Sequence, residues 1–377
     1  MNFPMVLEWL IKGFVWALIL LGGFAYLTLY ERKALARIQS RIGPNRAGPW
    51  GILQPIADAV KLIFKEELTP ANVDKLIFLL SPVITVVPAV VITAVVPWGP
   101  SLNIFGYHLD LYIADINVGV LYIMSIASIA VYGIVLAGWS SNNKYAMLGG
   151  LRSSAQMISY EIALGLSFVS VVLLAGSMNM LDIVHLQGGY WLNFIPKWFV
   201  VLQPVGTAIF LIATLAEVNR APFDMPEAEQ ELTAGYHTEY SGMKFALLFM
   251  AEYTKMIAIS AIGATIFFGG YNGPFINKFP WLGPIYIFIK ILLLLFGMIW
   301  VRATFPRIRY DRLMAFGWKV LLPLSLALVF ITAVGIMLGQ QVNPGLVFII
   351  PVASLLAGGV AVALIDRTLR RKDYARR

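Results

Sequence analysis

Carboxylates stand where an apolar chain of 377 residues would not be expected to keep them. Glu161 and Glu252 each lie about two turns inside a long hydrophobic run. A charge at the centre of a bilayer costs roughly 2.5–3.5 kcal/mol on insertion scales, so acids retained there are candidates for taking up and passing protons. The plainer reading is a buried structural ion pair. Lys255, three positions after Glu252, offers one, whereas the run around Glu161 has no basic residue closer than Arg152 near its start. Between the two runs lies an acidic segment, 217–244. Glu217, Asp224, Glu227, Glu229, Glu231 and Glu239 are opposed there only by Arg220 and Lys244. Asp224 and Glu227 have the spacing of a capping box, and Pro226 suits an early helical position. A helix starting there puts Glu227 and Glu231 on one face, four residues apart. Their mutual repulsion, if buried, raises at least one pKa toward neutrality, where a carboxyl can bind and release a proton. The alternative is a solvated acidic turn with ordinary titration.

Other chemistries are poorly supplied. The chain has no cysteine, and its three histidines, His108, His185 and His237, are far apart. Haem and iron–sulfur centres need those ligand types. The expectation is a chain with no redox metal and no catalytic residue of its own, so any electrons travel in partners.

The elements that must position these acids are membrane spans. Hydrophobic residues make up 59% of the chain and charged ones 13%, about half the charge of a soluble protein. Hydropathy suggests about nine spans, near 13–30, 76–97, 112–138, 155–176, 198–216, 245–268, 284–301, 319–338 and 345–366, in one membrane domain. Pro351 and Gly358–Gly359 interrupt the last. With the N-terminus outside, inside segments carry eight Lys/Arg in 31–75, two in 139–154, two in 217–244, five in 302–319 and six in 367–377, out of 28 in all. The outside holds Lys12, Lys197 and Lys278. That bias orients the chain and, with an odd span count, leaves the C-terminus inside. Lys290, near the outer end of its span, reads as a snorkelling anchor. No basic leader precedes the first apolar run, so no cleavable signal is expected.

The first inside loop is more than a connection. Ile52, Leu53, Ile56, Val60, Ile63 and Phe64 repeat at helical steps, with Gln54, Asp58, Lys61 and Lys65 on the other face. This predicts an interfacial helix over 50–65, with Trp50 at the headgroup level. It serves either as an anchor on lipid phosphates or as the frame of a mouth admitting a lipid-soluble substrate from the bilayer.

Four stretches carry a resemblance. They are Tyr30-Glu31-Arg32-Lys33 with Arg41-Ile42-Gly43-Pro44-Asn45-Arg46; Gly138-Trp139-Ser140-Ser141-Asn142-Asn143-Lys144-Tyr145; Arg220-Ala221-Pro222-Phe223-Asp224 through Glu231, with Glu239-Tyr240-Ser241-Gly242; and Arg302-Ala303-Thr304 with Arg307-Ile308-Arg309-Tyr310-Asp311. In this order the chain, from residue 8 to about 338, resembles the H-subunit family of respiratory complex I, the proton-pumping NADH–quinone oxidoreductase. The segment after Gly339 is an addition relative to eight-span members.

The resemblance implies a heel subunit of a bacterial inner membrane, joining pump arm to peripheral arm. It implies a quinone chamber lined by Glu31, Arg32, Arg41, Arg46, Asp58, Lys61 and Phe223. It implies an acidic funnel of Glu161, Glu217, Asp224, Glu227, Glu229, Glu231 and Glu252, and subunit docking through Arg302, Arg307 and Arg309. Quinone is then the substrate, and FMN and iron–sulfur clusters belong to partner subunits. The partners are soluble quinone-site subunits on the inside, with small membrane and antiporter-like subunits alongside. Quinone reduction would change charge in the chamber, the acidic loop would respond, and buried charges would relay the change. Arg32, Arg41 and Arg46 would hold the acidic loop by exchanging ion pairs, or else only dock soluble subunits. Two rival readings remain: the equivalent subunit of an energy-converting hydrogenase or formate hydrogenlyase, which needs no quinone, and a stand-alone ion transporter, whose inside loops should be less elaborate.

Overall fold

The computed structural model describes residues 3–104, 107–191, 195–224, 235–276, 278–341 and 347–374. Among them, seven helices are long and apolar enough to cross a membrane. They are Trp9–Ile38 within α1 (Phe3–Ile38), Lys75–Val95 beginning with α3 (Lys75–Val91), α4 (Gly119–Ser140), α5 (Lys144–Ala175), α9 (Gly242–Phe267), α10 (Leu282–Thr304) and Tyr310–Gln341. The last joins α11 (Tyr310–Phe316) to α12 (Leu322–Gln341) through a widened π turn over Gly317–Leu321. The chain is a multi-pass membrane protein.

Two expected spans fall on shorter apolar helices. The stretch 198–216 is broken into α7 (Phe199–Leu202) and α8 (Pro204–Glu217). Pro204 has no N–H to donate and disfavours helical geometry in the residue before it. Gln203 accordingly leaves the helix at φ −127°, ψ 57°, and its side-chain amide donates to Thr332 Oγ1 at 2.7 Å. The ninth stretch is the apolar part, Ile349–Ala363, of α13 (Ile349–Tyr374). The fold is all-helical apart from its loops. Two small antiparallel ribbons occupy the loops: β1 (Leu102–Ile104) pairs with β2 (Tyr107–Leu109), and β3 (Tyr190–Trp191) with β4 (Ile195–Pro196).

The most enclosed span is α9, packed between α3, α10 and α1. Small residues let neighbours close on it: a Cβ at Gly263 would stand 2.5 Å from the Phe210 ring. The tightest approach lies between α3 and α4. There Ser81 Oγ donates to the Gly133 carbonyl at 2.9 Å, and a Cβ on Gly133 would lie 2.2 Å from Thr85 Oγ1 and 2.9 Å from the Thr85 nitrogen. Gly133→Ala must therefore push the two helices apart. Overpacking of this kind costs about 1–3 kcal/mol, and we expect a lowered thermal midpoint in detergent; an unchanged midpoint would refute the close packing.

Lys290 does not snorkel outward. Its Nζ donates to the carbonyls of Phe268, Gly270 and Asn272, each at 2.7 Å, and lies 4.5 Å from the centre of the Trp198 ring. Carbonyls left open at the end of α9 attract a cation better than the interface does.

The interfacial helix is α2 (Gln54–Ile63), shorter than the expected 50–65. Trp50 precedes it in a single tight turn, Pro49–Gly51, and is exposed. The polar side of α2 ties back to α1: Asp58 accepts from Arg32 at 2.7 Å and from Gln54 at 3.0 Å. Its apolar residues Ile52, Leu53, Ile56, Val60, Ile63 and Phe64 face outward from the chain. Such a helix is stable when lipid or another chain covers that side.

Candidate functional site

The turn after α8 brings the charged residues together. Gln156, buried on α5, uses its amide nitrogen to hold the carbonyls of Ala216 and Phe223, at 2.9 and 2.8 Å, and Asn219 Oδ1 at 3.2 Å. Asn219, at φ 55°, donates in turn to Ser153 Oγ at 2.9 Å. The Pro222 carbonyl accepts from the Ile308 nitrogen at 3.1 Å, joining the turn to the segment after α10. Arg220 is thereby pointed inward.

Its guanidinium sits among acids from two spans. Nη1 lies 2.7 Å from Glu31 Oε1 on α1, and Nε lies 2.5 Å from Glu252 Oε1 on α9. The same group lies 4.4 Å from the centre of the Tyr253 ring. Glu31 also accepts from Arg302 at the end of α10. All three of Glu31, Arg220 and Glu252 are shut away from solvent. Burial opposes the charge on Arg220, but Glu252, Tyr253 and Glu31 outweigh it and hold the guanidinium above its ordinary pKa.

The row continues on both sides. Toward the side of the bundle that carries the basic loops, Asp224 Oδ2 accepts from Arg307 Nη2 at 3.0 Å. Burial pushes the Asp224 carboxyl up to about 6; Arg307 pulls it down and Glu252 adds to the rise. Deeper in the bundle, Lys255 Nζ lies 2.8 Å from Glu217 Oε1, with Glu217 only 2% exposed. Deeper still, Ser128 on α4 donates to Glu161 on α5, and Glu161 feels the charges of both Glu217 and Lys255. Glu161 is about 25 Å along its helix from Lys144 at a rise of 1.5 Å per residue. The result is a polar path from the basic end of the bundle into its apolar middle.

The raised Asp224 pKa carries a sign that can be tested. The folded value, about 6, exceeds the ordinary 3.8. Below about pH 4 the carboxyl is neutral whether folded or not, and its burial has no ionic cost. As pH rises through about 6 the folded state must ionise a buried group, and that relative stability is lost. Asp224→Asn should match the parent in thermal midpoint near pH 4 and exceed it above pH 7. A constant offset across that range would show that Asp224 titrates normally.

The acids expected to matter are thus partly gathered: Glu161, Glu217, Asp224 and Glu252 stand in one path. Glu227, Glu229 and Glu231, and the capping box to which Glu227 belongs, lie outside the described residues. Among the chamber candidates, Glu31 is in the row, while Arg32 and Asp58 form their own pair nearer solvent. Arg41 donates to Gln39 at 2.7 Å, and Arg41, Arg46 and Lys61 are exposed. Phe223 is buried against Tyr160, with ring centres 5.6 Å apart. Arg302 and Arg307, expected on a docking surface, turn to acids of this chain; Arg309 stays exposed beside Asp311 at 3.1 Å. Lys255 does not serve Glu252, as helical spacing suggested, because Arg220 reaches Glu252 first. Sequence reasoning passed over Arg220 and Tyr253 as site residues. The signal was present: Arg220 is one of only two cations in the acidic segment, and Tyr253 adjoins Glu252.

Comparison with known proteins decides the family. Residues 11–333 match the model of a family described as NADH dehydrogenase. A protein of Thermomicrobium roseum, named as the H subunit of NADH-quinone oxidoreductase, is 51% identical over 317 residues, covering 83% of this chain and 92% of the relative. The chain belongs to the H-subunit family of NADH-quinone oxidoreductases. The H subunits of Protochlamydia amoebophila and Geobacter metallireducens are each 50% identical, over 309 and 308 residues, and this chain covers 91% and 90% of them. The family match ends near residue 333, so α13 lies beyond it.

Proposed function

We propose that this chain is the membrane subunit of a proton-translocating NADH–quinone oxidoreductase that forms part of the quinone chamber and couples quinone reduction to proton movement. The observation that carries this reading is a row of three ion-paired groups, Arg307–Asp224, then Arg302–Glu31–Arg220–Glu252, then Lys255–Glu217, with Glu161 within electrostatic reach of the last. Within each group opposite charges adjoin, and Glu161 faces a like charge in Glu217, so a change of charge at one end displaces the balance at the next pair.

In this reading Arg32, Arg41, Arg46, Asp58 and Lys61 line the chamber mouth with α2, and quinone enters from the bilayer over the outward apolar face of that helix. Reducing a quinone to quinol consumes two electrons and two protons. The electrons come through FMN and iron–sulfur clusters of partner subunits. The work of this chain is electrostatic. Asp224, poised near neutral pH, takes up or gives back a proton; Arg307 and Arg302 are released or captured; Arg220 shifts its weight between Glu31 and Glu252. The acidic segment also carries Glu227, Glu229 and Glu231, which in this reading share the proton exchange.

The chain spans a bacterial cytoplasmic membrane nine times, with its N-terminus outside and its C-terminus inside. The basic bias of the inside loops supports that orientation. Soluble quinone-site subunits dock on the inside around Arg309, and small membrane and antiporter-like subunits pack alongside. The test is purification from native membranes through a C-terminal tag. Recovery in a large assembly with inhibitor-sensitive NADH-driven quinone reduction is expected. An assembly that evolves hydrogen, or a chain recovered alone, would overturn the reading.

A further inference from the structure

A second feature lies between α1 and α10, away from the buried acids. A groove of about 660 Å³ runs between α1 and α10, a volume in the range of small-molecule sites. Its walls are apolar, with Gly22, Gly23 and Tyr26 from α1 facing Phe288, Ile291 and Leu292 from α10. A Cβ on Gly22 would meet nothing within 4 Å, so the missing side chain keeps the groove open. One end is closed. Trp16 and Trp98 meet there with ring centres 4.2 Å apart, and Trp16 Nε1 donates to Thr93 Oγ1 at 2.9 Å.

The other end is open and basic. Tyr30 lines both the groove and an adjoining open hollow of about 420 Å³, shared with Lys33, Arg37 and Phe296. Lys33 spends one of its three donors on the Trp50 carbonyl at 2.5 Å. Arg37 has no carboxylate partner among the described residues. These cations stand about five and six turns of helix from Trp16, at the level of the interfacial helix and the basic loop. From Trp16 to Tyr30 the helix rises about 21 Å, enough to accommodate an extended hydrocarbon chain.

We propose that this groove binds one anionic phospholipid of the leaflet facing the basic loops, its phosphate between Lys33 and Arg37 and an acyl chain laid along Gly22 and Gly23. The closed apolar end excludes a second polar group, and the paired cations select a negative headgroup over a zwitterionic one. Charge and shape thus specify the same amphiphile from opposite ends. The inference does not depend on the quinone reading.

The test uses the assembly purified from native membranes and exchanged into neutral detergent. Phosphatidylglycerol and phosphatidylcholine, each carrying a photoreactive acyl chain, are crosslinked separately and the labelled peptides mapped. We expect labelling on the α1 and α10 peptides that flank Gly22 and Leu292, about thirtyfold stronger for phosphatidylglycerol, as two nearby cations should give. Lys33→Gln with Arg37→Gln should reduce phosphatidylglycerol to the phosphatidylcholine level. Gly22→Leu, which fills the groove and leaves both cations, should remove labelling by either lipid. Equal labelling of the parent by both lipids would overturn the proposal. So would the absence of groove labelling by any lipid, the result expected if another subunit's helix covers it. Should the double variant fail to assemble, the parent's lipid ratio and Gly22→Leu decide the matter between them.

Discussion

Arg220→Met is expected to be the most damaging single substitution in the chain. It removes the cation 2.5 Å from Glu252 and 2.7 Å from Glu31 while leaving both carboxylates buried. Taking away one partner of a buried ion pair costs about 3–5 kcal/mol, because the remaining charge keeps its desolvation penalty. Glu31 retains Arg302, which limits the part of that cost that falls on Glu31. The measurable result is a large fall in thermal midpoint and loss of NADH-driven quinone reduction, with electron transfer from NADH to a soluble acceptor preserved in whatever assembly survives. Arg220→Lys should recover only part of the stability. A lysine keeps the charge but lacks the planar fork that lets Arg220 address two carboxylates and the Tyr253 face at once. Full activity in Arg220→Met would remove the centre of the proposed path.

The second large effect lies at Lys255–Glu217, and here a pair of variants separates structure from coupling. Lys255→Met leaves Glu217, 2% exposed, without the ammonium 2.8 Å away. Destabilisation of about 3–5 kcal/mol is expected again. Adding Glu217→Gln removes the stranded charge as well. Replacing both members of a buried ion pair by neutral groups of similar size is often neutral or stabilising, so the double variant should regain the parent's thermal midpoint. Its proton translocation should stay lost, because no titratable group remains at that step of the path. Quinone reduction uncoupled from acidification of the medium is the signature. If the double variant restores coupling together with stability, the pair serves packing alone.

Much of this architecture could be read in advance. Long apolar runs declare themselves because a bilayer imposes a length, and α3, α9 and α10 follow the hydropathy closely, whereas α4 begins at Gly119, seven residues inside the expected start at 112. The face of α2 was legible because a 3.6-residue period needs no knowledge of the rest of the chain. The break at Gln203 was less so: it needs Pro204 and also the Thr332 hydroxyl, 129 residues away in sequence. Glu161 and Glu252 were recognisable one by one, since charge in an apolar run is costly wherever it sits; Glu217 and Asp224 stood out only as members of the acidic segment. Their partners were not. Arg220 meets Glu31 across 189 residues and Arg307 meets Asp224 across 83. Local spacing favoured Lys255 for Glu252, and only the turn pinned by Gln156 shows why Arg220 takes that place.

The carboxylate of Glu31 also sets an order of manufacture. Its two guanidinium partners are made 189 and 271 residues later. At the usual pace of synthesis, about 5–20 residues per second, Arg302 follows Glu31 by roughly 14–54 s. For that interval the first span is already made while its acid still lacks the cations it will keep. The newborn acid must remain hydrated at the membrane edge, or protonated, until Arg220 and then Arg302 arrive. α1 therefore cannot complete its docking when it is inserted. The ion cluster acts as a late clasp, closing only on a chain whose sixth long apolar helix is nearly complete, and a truncated product ending before Arg302 would present Glu31 without it to the quality-control proteases of the membrane.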